Sequence, residues 1–171
     1  MIIIISGVAG SGKTTVGKLV ADRLGCAFED GDMLHPEENV HKMHAGEPLT
    51  DADRWPWLRT IQAWMDQRIS AGQTAVLACS ALHHRYRAAL LDGRPDVRIA
   101  FLQISHEVAA ARLARRHGHF FPAMLLDSQF RDLEPPGPDE PVLVVDANHP
   151  AAAMAAEIVS RLDPDPPDRS G

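Results

Sequence analysis

Cysteine is scarce in this chain: only Cys26 and Cys79 occur in 171 residues, far apart in the sequence. Neither a disulfide framework nor a CxxC metal pattern can be built from them. Long basic runs are also missing, and acids outnumber bases, for a formal net charge of −6. That balance excludes an extended nucleic-acid surface and leaves one local basic cluster, Arg112 to His119, to explain. A nucleotide stays admissible, because a locally positive phosphate site works on an acidic protein. No apolar stretch is long enough to span a bilayer, and the opening Met-Ile-Ile-Ile-Ile carries no charged leader. A cytoplasmic protein without membrane or nucleic-acid partners is therefore expected. There is no internal repeat. Of the nine histidines, His41 and His44 would share a helix face, but no third ligand at a recognised spacing joins them.

What the chain does have is a core. Apolar residues make up 45%, which excludes global disorder and suits one compact domain. Ile2 to Ile5 is a β-branched run that reads as a strand buried on both faces. Lys13 to Leu24 places Val16, Leu19, Val20 and Leu24 at helical spacing, and Gly25 ends that helix. Further strands are expected at Ala27 to Glu29, Ala75 to Cys79, Arg98 to Ile104 and Val142 to Asp146. Helices are expected at His35 to Ala45, Ala52 to Ile69, His84 to Leu91, Glu107 to Arg116 and Ala151 to Leu162. Buried strands alternating with helices call for an α/β fold, a parallel sheet covered on both sides. The three tryptophans read as core and crevice wall. The domain is expected to span 1–162, and the Pro- and Asp-rich 163–171 to be a disordered tail.

The most informative segment is Gly7-Val8-Ala9-Gly10-Ser11-Gly12-Lys13-Thr14, which matches G-x-x-x-x-G-K-[ST] without a gap, after a buried strand and opening a helix. Glycines let the backbone curl so that successive N–H groups meet phosphate oxygens, and the helix N-terminus adds partial positive charge. Lys13 would reach the β- and γ-phosphates, and the Thr14 hydroxyl would serve Mg²⁺. The motif indicates nucleotide binding and leaves the phosphate acceptor open.

Acceptor candidates lie where other strands end, since in an open parallel sheet the carboxyl edge faces the ligand. Asp30-Gly31-Asp32 ends the second strand: Asp32 would accept a hydrogen bond from the acceptor hydroxyl, and Asp30 would hold waters of the Mg²⁺ shell. Thr50 or Asp51 is a plausible N-cap for the tryptophan-rich helix. Arg54, early in that helix, can clamp a carboxylate or pair with Asp51 or Asp53. Ser80 lies among small residues that admit a substrate to the backbone, and Arg85 can hold an anionic group or stand exposed on its helix. The cluster beginning at Arg112 reads as a flap with Gly118 as hinge, or as a solvated basic helix end.

Taken together, these residues resemble the gluconokinase family of small P-loop kinases, relatives of shikimate kinase. The likeness runs from about Ile3 to Asp146. It rests on Asp30-Gly31-Asp32-Met33-Leu34-His35-Pro36, Asn39, Lys42-Met43, Gly46-Glu47-Pro48-Leu49, Asp51, Asp53-Arg54 and Pro56-Trp57-Leu58. Cys79-Ser80-Ala81-Leu82, Tyr86-Arg87, Gly118-His119-Phe120-Phe121 and Ser128-Gln129-Phe130 extend it. The resemblance implies a three-layer P-loop fold with a five-stranded parallel sheet, acceptor-binding helices over about 33–70 and a flap over about 112–130. It implies ATP- and Mg²⁺-dependent phosphorylation of gluconate by a homodimer. Lys13, Asp32 and Arg116 would be catalytic. Gly7, Val8, Ala9, Gly10, Ser11, Gly12, Lys13, Thr14 and Thr15, with Arg112 and Arg116, would bind ATP. Asp32, His35, Lys42, Arg54, Ser80 and Arg85 would bind the acid, and Thr14 and Asp30 would serve the metal. His83 departs from the family, many members carrying Lys there, which makes the charge at that corner pH-dependent. Residue chemistry alone leaves two rivals, a kinase for another acceptor (a different sugar acid, shikimate or a nucleotide) and a non-catalytic ATP-binding switch.

Overall fold

The computed structural model describes residues 1–115 and 123–162. In chain order the elements are β1 (Ile2–Ser6), α1 (Lys13–Leu24), β2 (Ala27–Asp30), a 3-10 turn (Gly31–Leu34), α2 (Glu37–His44), α3 (Asp51–Ser70) and β3 (Ala75–Ala78). There follow α4 (His84–Leu91), β4 (Val97–Gln103), α5 (His106–Ala114), α6 (Ala123–Asp132), β5 (Val142–Asp146) and α7 (Ala151–Leu162). Among the described residues the five strands form one parallel sheet in the order β2-β3-β1-β4-β5. All five therefore end on the same edge, and β1, with the phosphate motif behind it, is central.

The isoleucine run explains the layering. Ile2 to Ile5 are each fully buried, but alternate residues point to opposite faces. Ile3 and Ile5 join a core with Val16 and Val20 of α1, Ala109 of α5, Leu126 of α6 and Met154 and Ile158 of α7. Ile2 and Ile4 pack with Trp57, Leu58, Ile61 and Met65 of α3 and Tyr86 and Leu90 of α4. Each buried isoleucine contributes roughly 1.5–3 kcal/mol, so the same four residues anchor both helical layers. Trp57 is buried, and Trp55 and Trp64 are half-buried against the second core, as core and wall residues should be.

One local expectation is corrected. The helix expected from His35 begins only at Glu37, because His35 precedes Pro36 and takes an extended backbone (φ −68°, ψ 140°). The described part of the segment expected as a flap, after 122, forms the helix α6. The N-cap of α3 is Thr50, whose hydroxyl accepts from the Asp53 N–H while the Asp53 carboxylate accepts from the Thr50 N–H, a capping box.

Gly31 sets how closely β2 approaches β3. A Cβ at this position would stand 2.5 Å from the Ala78 carbonyl oxygen, which is backbone and cannot swing away. We expect Gly31→Ala to cost about 1–3 kcal/mol of stability, seen as a lower urea midpoint with an unchanged slope. An unmoved midpoint would contradict the packing constraint.

Candidate active site

The phosphate loop curls over the carboxyl end of β1. Gly10 has φ +78°, and a Cβ there would lie 2.8 Å from the Ala109 carbonyl of α5, so this turn needs glycine both for conformation and for space. The loop is tied down on two sides. The Ser80 carbonyl accepts from Ser6 Oγ at 2.6 Å and from the Gly7 N–H at 3.3 Å, and Gln129 Oε1 of α6 accepts from the Ala9 N–H at 2.7 Å. Lys13 Nζ donates to the Val8 carbonyl at 2.9 Å. Ser11 Oγ is wholly buried and meets no hydrogen-bond partner among the described residues, an orphaned polar atom inside a cradle of backbone amides.

Beside the loop lies a cleft of about 630 Å³. Residues 9–16 form its floor, Asp30 and Asp32 one wall, and Arg112 with the 148–151 turn the other. Thr14 and Thr15 both face it. Arg112 Nη2 donates to the Ala147 carbonyl at 2.7 Å, which fixes the turn after β5 against α5.

Asp30 caps the 3-10 turn, its Oδ1 accepting from the Asp32 N–H at 3.1 Å, so one carboxylate orients the backbone that carries the other. The Asp32 side chain opens onto the cleft and is itself exposed to solvent, with the carboxyl end crowded by the neighbouring turn. Desolvation by that crowding pushes its carboxyl above the usual carboxylate range, Lys13 opposes this, and Asp30 adds to it. A carboxylate poised upward and facing a phosphate loop is suited to accept a proton from an alcohol.

The turn carrying these acids is braced by α3. Trp57 Nε1 donates to the buried Gly31 carbonyl at 2.7 Å, and His35 stacks on the Trp57 ring at 4.2 Å. Asn39 Nδ2 donates to the Asp53 carbonyl at 2.8 Å and stands 3.1 Å from His35 Nδ1. A carbonyl only accepts, so that atom is the amide nitrogen, and its second hydrogen makes His35 Nδ1 an acceptor. The ring proton then sits on Nε2. Burial, helped by the nearby Arg54 cation, lowers the imidazole to about 4, so His35 is neutral at physiological pH.

The charged residues on this side are paired within the protein. Lys42 Nζ lies 2.7 Å from Asp53 Oδ1, which holds the Asp53 carboxyl down at about 2. Arg54 pairs with Asp132 at the end of α6, and with neither Asp51 nor Asp53 as its spacing suggested. Arg85 pairs with Asp51, which also accepts from the Tyr86 hydroxyl. Ser80 acts through its carbonyl on the phosphate loop. Next to it Ala81 has φ +40°, an unusual backbone for a residue with a Cβ. Arg87 holds that corner: fully buried, it donates from Nη1 to the Ala81 and Leu82 carbonyls and from Nε and Nη2 to the two oxygens of Glu140 at 2.8 Å. His83 Nδ1 lies 3.1 Å from Glu134 Oε1, so this corner carries an acid of its own. Cys79 is buried, which pushes its thiol up to about 12 and makes it a packing residue.

The structure thus gathers Gly10 to Thr15, Asp30, Asp32 and Arg112 around one cleft, and sets His35 and Arg54 behind the acidic turn. Arg116 and the Gly118 hinge lie outside the described residues, as does the expected 163–171 tail. Sequence reasoning gave no role to Gln129, Asp132 or Asn148-His149-Pro150. The last of these follows β5 at the ligand edge, a signal that could have been read. Among the described residues no helix is long and apolar enough to cross a membrane, and no cluster of three His, Cys, Asp or Glu side chains could hold a metal ion.

A parallel sheet with the phosphate loop on its central strand and an acidic turn across one cleft defines a small P-loop kinase. The shikimate kinase family model matches residues 9–134. A gluconokinase from Gluconobacter oxydans (strain 621H) is 48% identical over 89% of this chain and 86% of its own length. Among solved structures, a sugar kinase from Janibacter sp. HTCC2649 superposes with a TM-score of 0.90 at 43% identity, covering 96% of this chain and 95% of that one. A gluconokinase from Sinorhizobium meliloti 1021 does so with a TM-score of 0.83 at 41% identity, covering 94% and 90%. The chain belongs to the gluconokinase family, within the wider group of shikimate kinase-like enzymes.

Proposed function

We infer that this protein transfers the γ-phosphoryl group of ATP to the terminal hydroxyl of D-gluconate, giving 6-phospho-D-gluconate and ADP. The carrying observation is the convergence, in a chain of this family, of the phosphate loop and the Asp32 carboxylate on one cleft. Neither a different acceptor class nor a silent nucleotide switch has any feature of the structure in its favour.

The loop amides and Lys13 hold and neutralise the phosphate chain, while Ser11 and Gly10 keep the cradle tight around it. Asp32 accepts the hydrogen bond of the attacking hydroxyl and takes its proton as the new phosphate ester forms and the bond to ADP breaks. Arg54 reads the carboxylate of the acid, and neutral His35, a donor at Nε2, serves the hydroxyl groups between. Arg112 and Arg116 belong to the ATP side, Lys42, Ser80 and Arg85 to the acceptor side. The donor set fits Mg²⁺, since a hydroxyl at Thr14 and a carboxylate at Asp30 suit a hard cation that keeps waters and phosphate oxygens in its shell. When bound, the metal would neutralise charge on the β- and γ-phosphate oxygens. Positioning and charge neutralisation carry most of the rate in such transfers. The 1–162 kinase domain, a homodimer and a cytoplasmic location belong to the same reading, carried by the family likeness.

Coupled ADP release over a panel of acceptors tests it. Gluconate should support turnover at least about 100-fold above shikimate, nucleoside monophosphates or the neutral polyol of the same length, a span set by leaving buried polar groups unpaired. Equal turnover on nucleoside monophosphates, or none on gluconate, would overturn the assignment.

A further inference from the structure

Of the arginine–carboxylate pairs around the acceptor side, those of Arg87 and Arg54 are built differently. Arg87 is fully buried and offers two nitrogens to two different oxygens of Glu140, both at 2.8 Å. That closed fork holds Glu140 at about 2 and serves architecture. Arg54 instead turns both Nη1 and Nη2 toward one oxygen, Asp132 Oδ2, at 3.4 and 3.3 Å. The Arg54 side chain is 15% exposed and that of Asp132 35%. A guanidinium that meets its carboxylate through a single oxygen at the long end of the hydrogen-bond range makes no closed fork with it.

The position of Asp132 is also unfavourable for its own helix. It is the last residue of α6, where the carbonyl ends carry partial negative charge and a cation is preferred. Local helix chemistry therefore gives no reason for a carboxylate here. Arg54 does not depend on Asp132 alone for its place, because its guanidinium also lies 5.9 Å from the centre of the Tyr86 ring.

We propose that Asp132 is an internal surrogate for the acceptor's acid group: its carboxylate occupies Arg54 in the acid-free enzyme and yields that guanidinium when the substrate carboxylate arrives. This deepens the assignment of Arg54 to the acid and rests on it. The exchange is favourable because a mobile carboxylate can bring two oxygens to the two N–H groups that Asp132 meets with one. A neutral polyol has nothing to exchange and leaves the internal pair closed. Asp132 therefore sets the affinity for the acid by competition, through Arg54, without touching the reacting atoms.

Steady-state kinetics with gluconate and with its neutral polyol analogue, on wild type, Asp132→Asn, Asp132→Ala, Arg54→Ala and the Arg54→Ala/Asp132→Asn double variant, test this. Removing the competing charge should lower KM for gluconate about three- to tenfold, the span of a partly exposed ion pair. The change in kcat should be far smaller, and KM for the polyol should stay put. Arg54→Ala should raise KM for gluconate, and on that background Asp132→Asn should have no further effect. A residue that merely supported α6 would not lower KM for the acid alone. If Arg54→Ala weakens gluconate binding but both Asp132 variants leave KM unchanged or raise it, the surrogate is refuted and the role of Arg54 stands. If Arg54→Ala leaves KM for gluconate at its wild-type value, the assignment of Arg54 falls, and the surrogate with it.

Discussion

Replacing Lys13 by alanine is expected to lower kcat by about three powers of ten or more, with the fold retained. Phosphoryl transfer asks little covalent chemistry of the protein, so the loss of one cation at the phosphate chain falls directly on the barrier. Lys13 sits at the first turn of α1, half-buried at the floor of the cleft, and its ammonium reaches back to the Val8 carbonyl of the same loop. Removing it deletes no core packing, and a thermal melt should show little change. A second signature follows from electrostatics. Lys13 holds the Asp32 carboxyl lower than burial alone would set it, so the acid limb of any residual activity should move to higher pH. Activity near wild type in Lys13→Ala would contradict the placement of the phosphate chain.

Asp32→Asn should reduce kcat by about 10²–10⁴-fold and leave nucleotide affinity nearly intact. The amide keeps the shape of the side chain and can still meet a hydroxyl, but it cannot take the proton. In the wild type the group must be ionised to act. Since burial raises its pKa, activity should fall as pH drops through a value above the ordinary carboxylate range, and Asp32→Asn should lose that limb. Stability should move the other way. A carboxyl with a folded-state pKa above its unfolded value favours the fold most at low pH, and that contribution is lost as pH rises through the folded pKa. At neutral pH the charged Asp32 therefore burdens the fold, and Asp32→Asn should melt higher than wild type, with the difference closing in acid. Unchanged kcat would remove Asp32 from the role given to it, and a variant that melts lower at neutral pH would contradict only the raised pKa.

The parts legible in the sequence share one property: they are local. The phosphate loop is a run of eight residues whose chemistry depends on covalent spacing, and β1 declares itself because four isoleucines must be buried on both faces. The ends of β2 and β3 carry Asp32 and Ser80, and strand order alone brings them to the ligand edge. What escaped lies between residues distant in the chain. Arg54 invited pairing with Asp51 or Asp53 by proximity, yet Asp53 is taken by Thr50 and Lys42, and Asp51 by Arg85 and Tyr86. Only the approach of α6 across 78 positions supplies Asp132. The Gln129 contact to the phosphate loop spans 120 positions and has no local signature. Pro36 was readable as a helix boundary, and the family likeness across this stretch did not replace that simpler backbone argument.

The central claim is that the phosphorus leaving ATP arrives on the acid. Following the reaction by ³¹P NMR in the presence of magnesium, with gluconate as sole acceptor, tests it most directly. A single new phosphomonoester on the terminal carbon should grow in step with ADP, one for one. ADP accumulating beside inorganic phosphate with no phosphorylated acid would contradict the account.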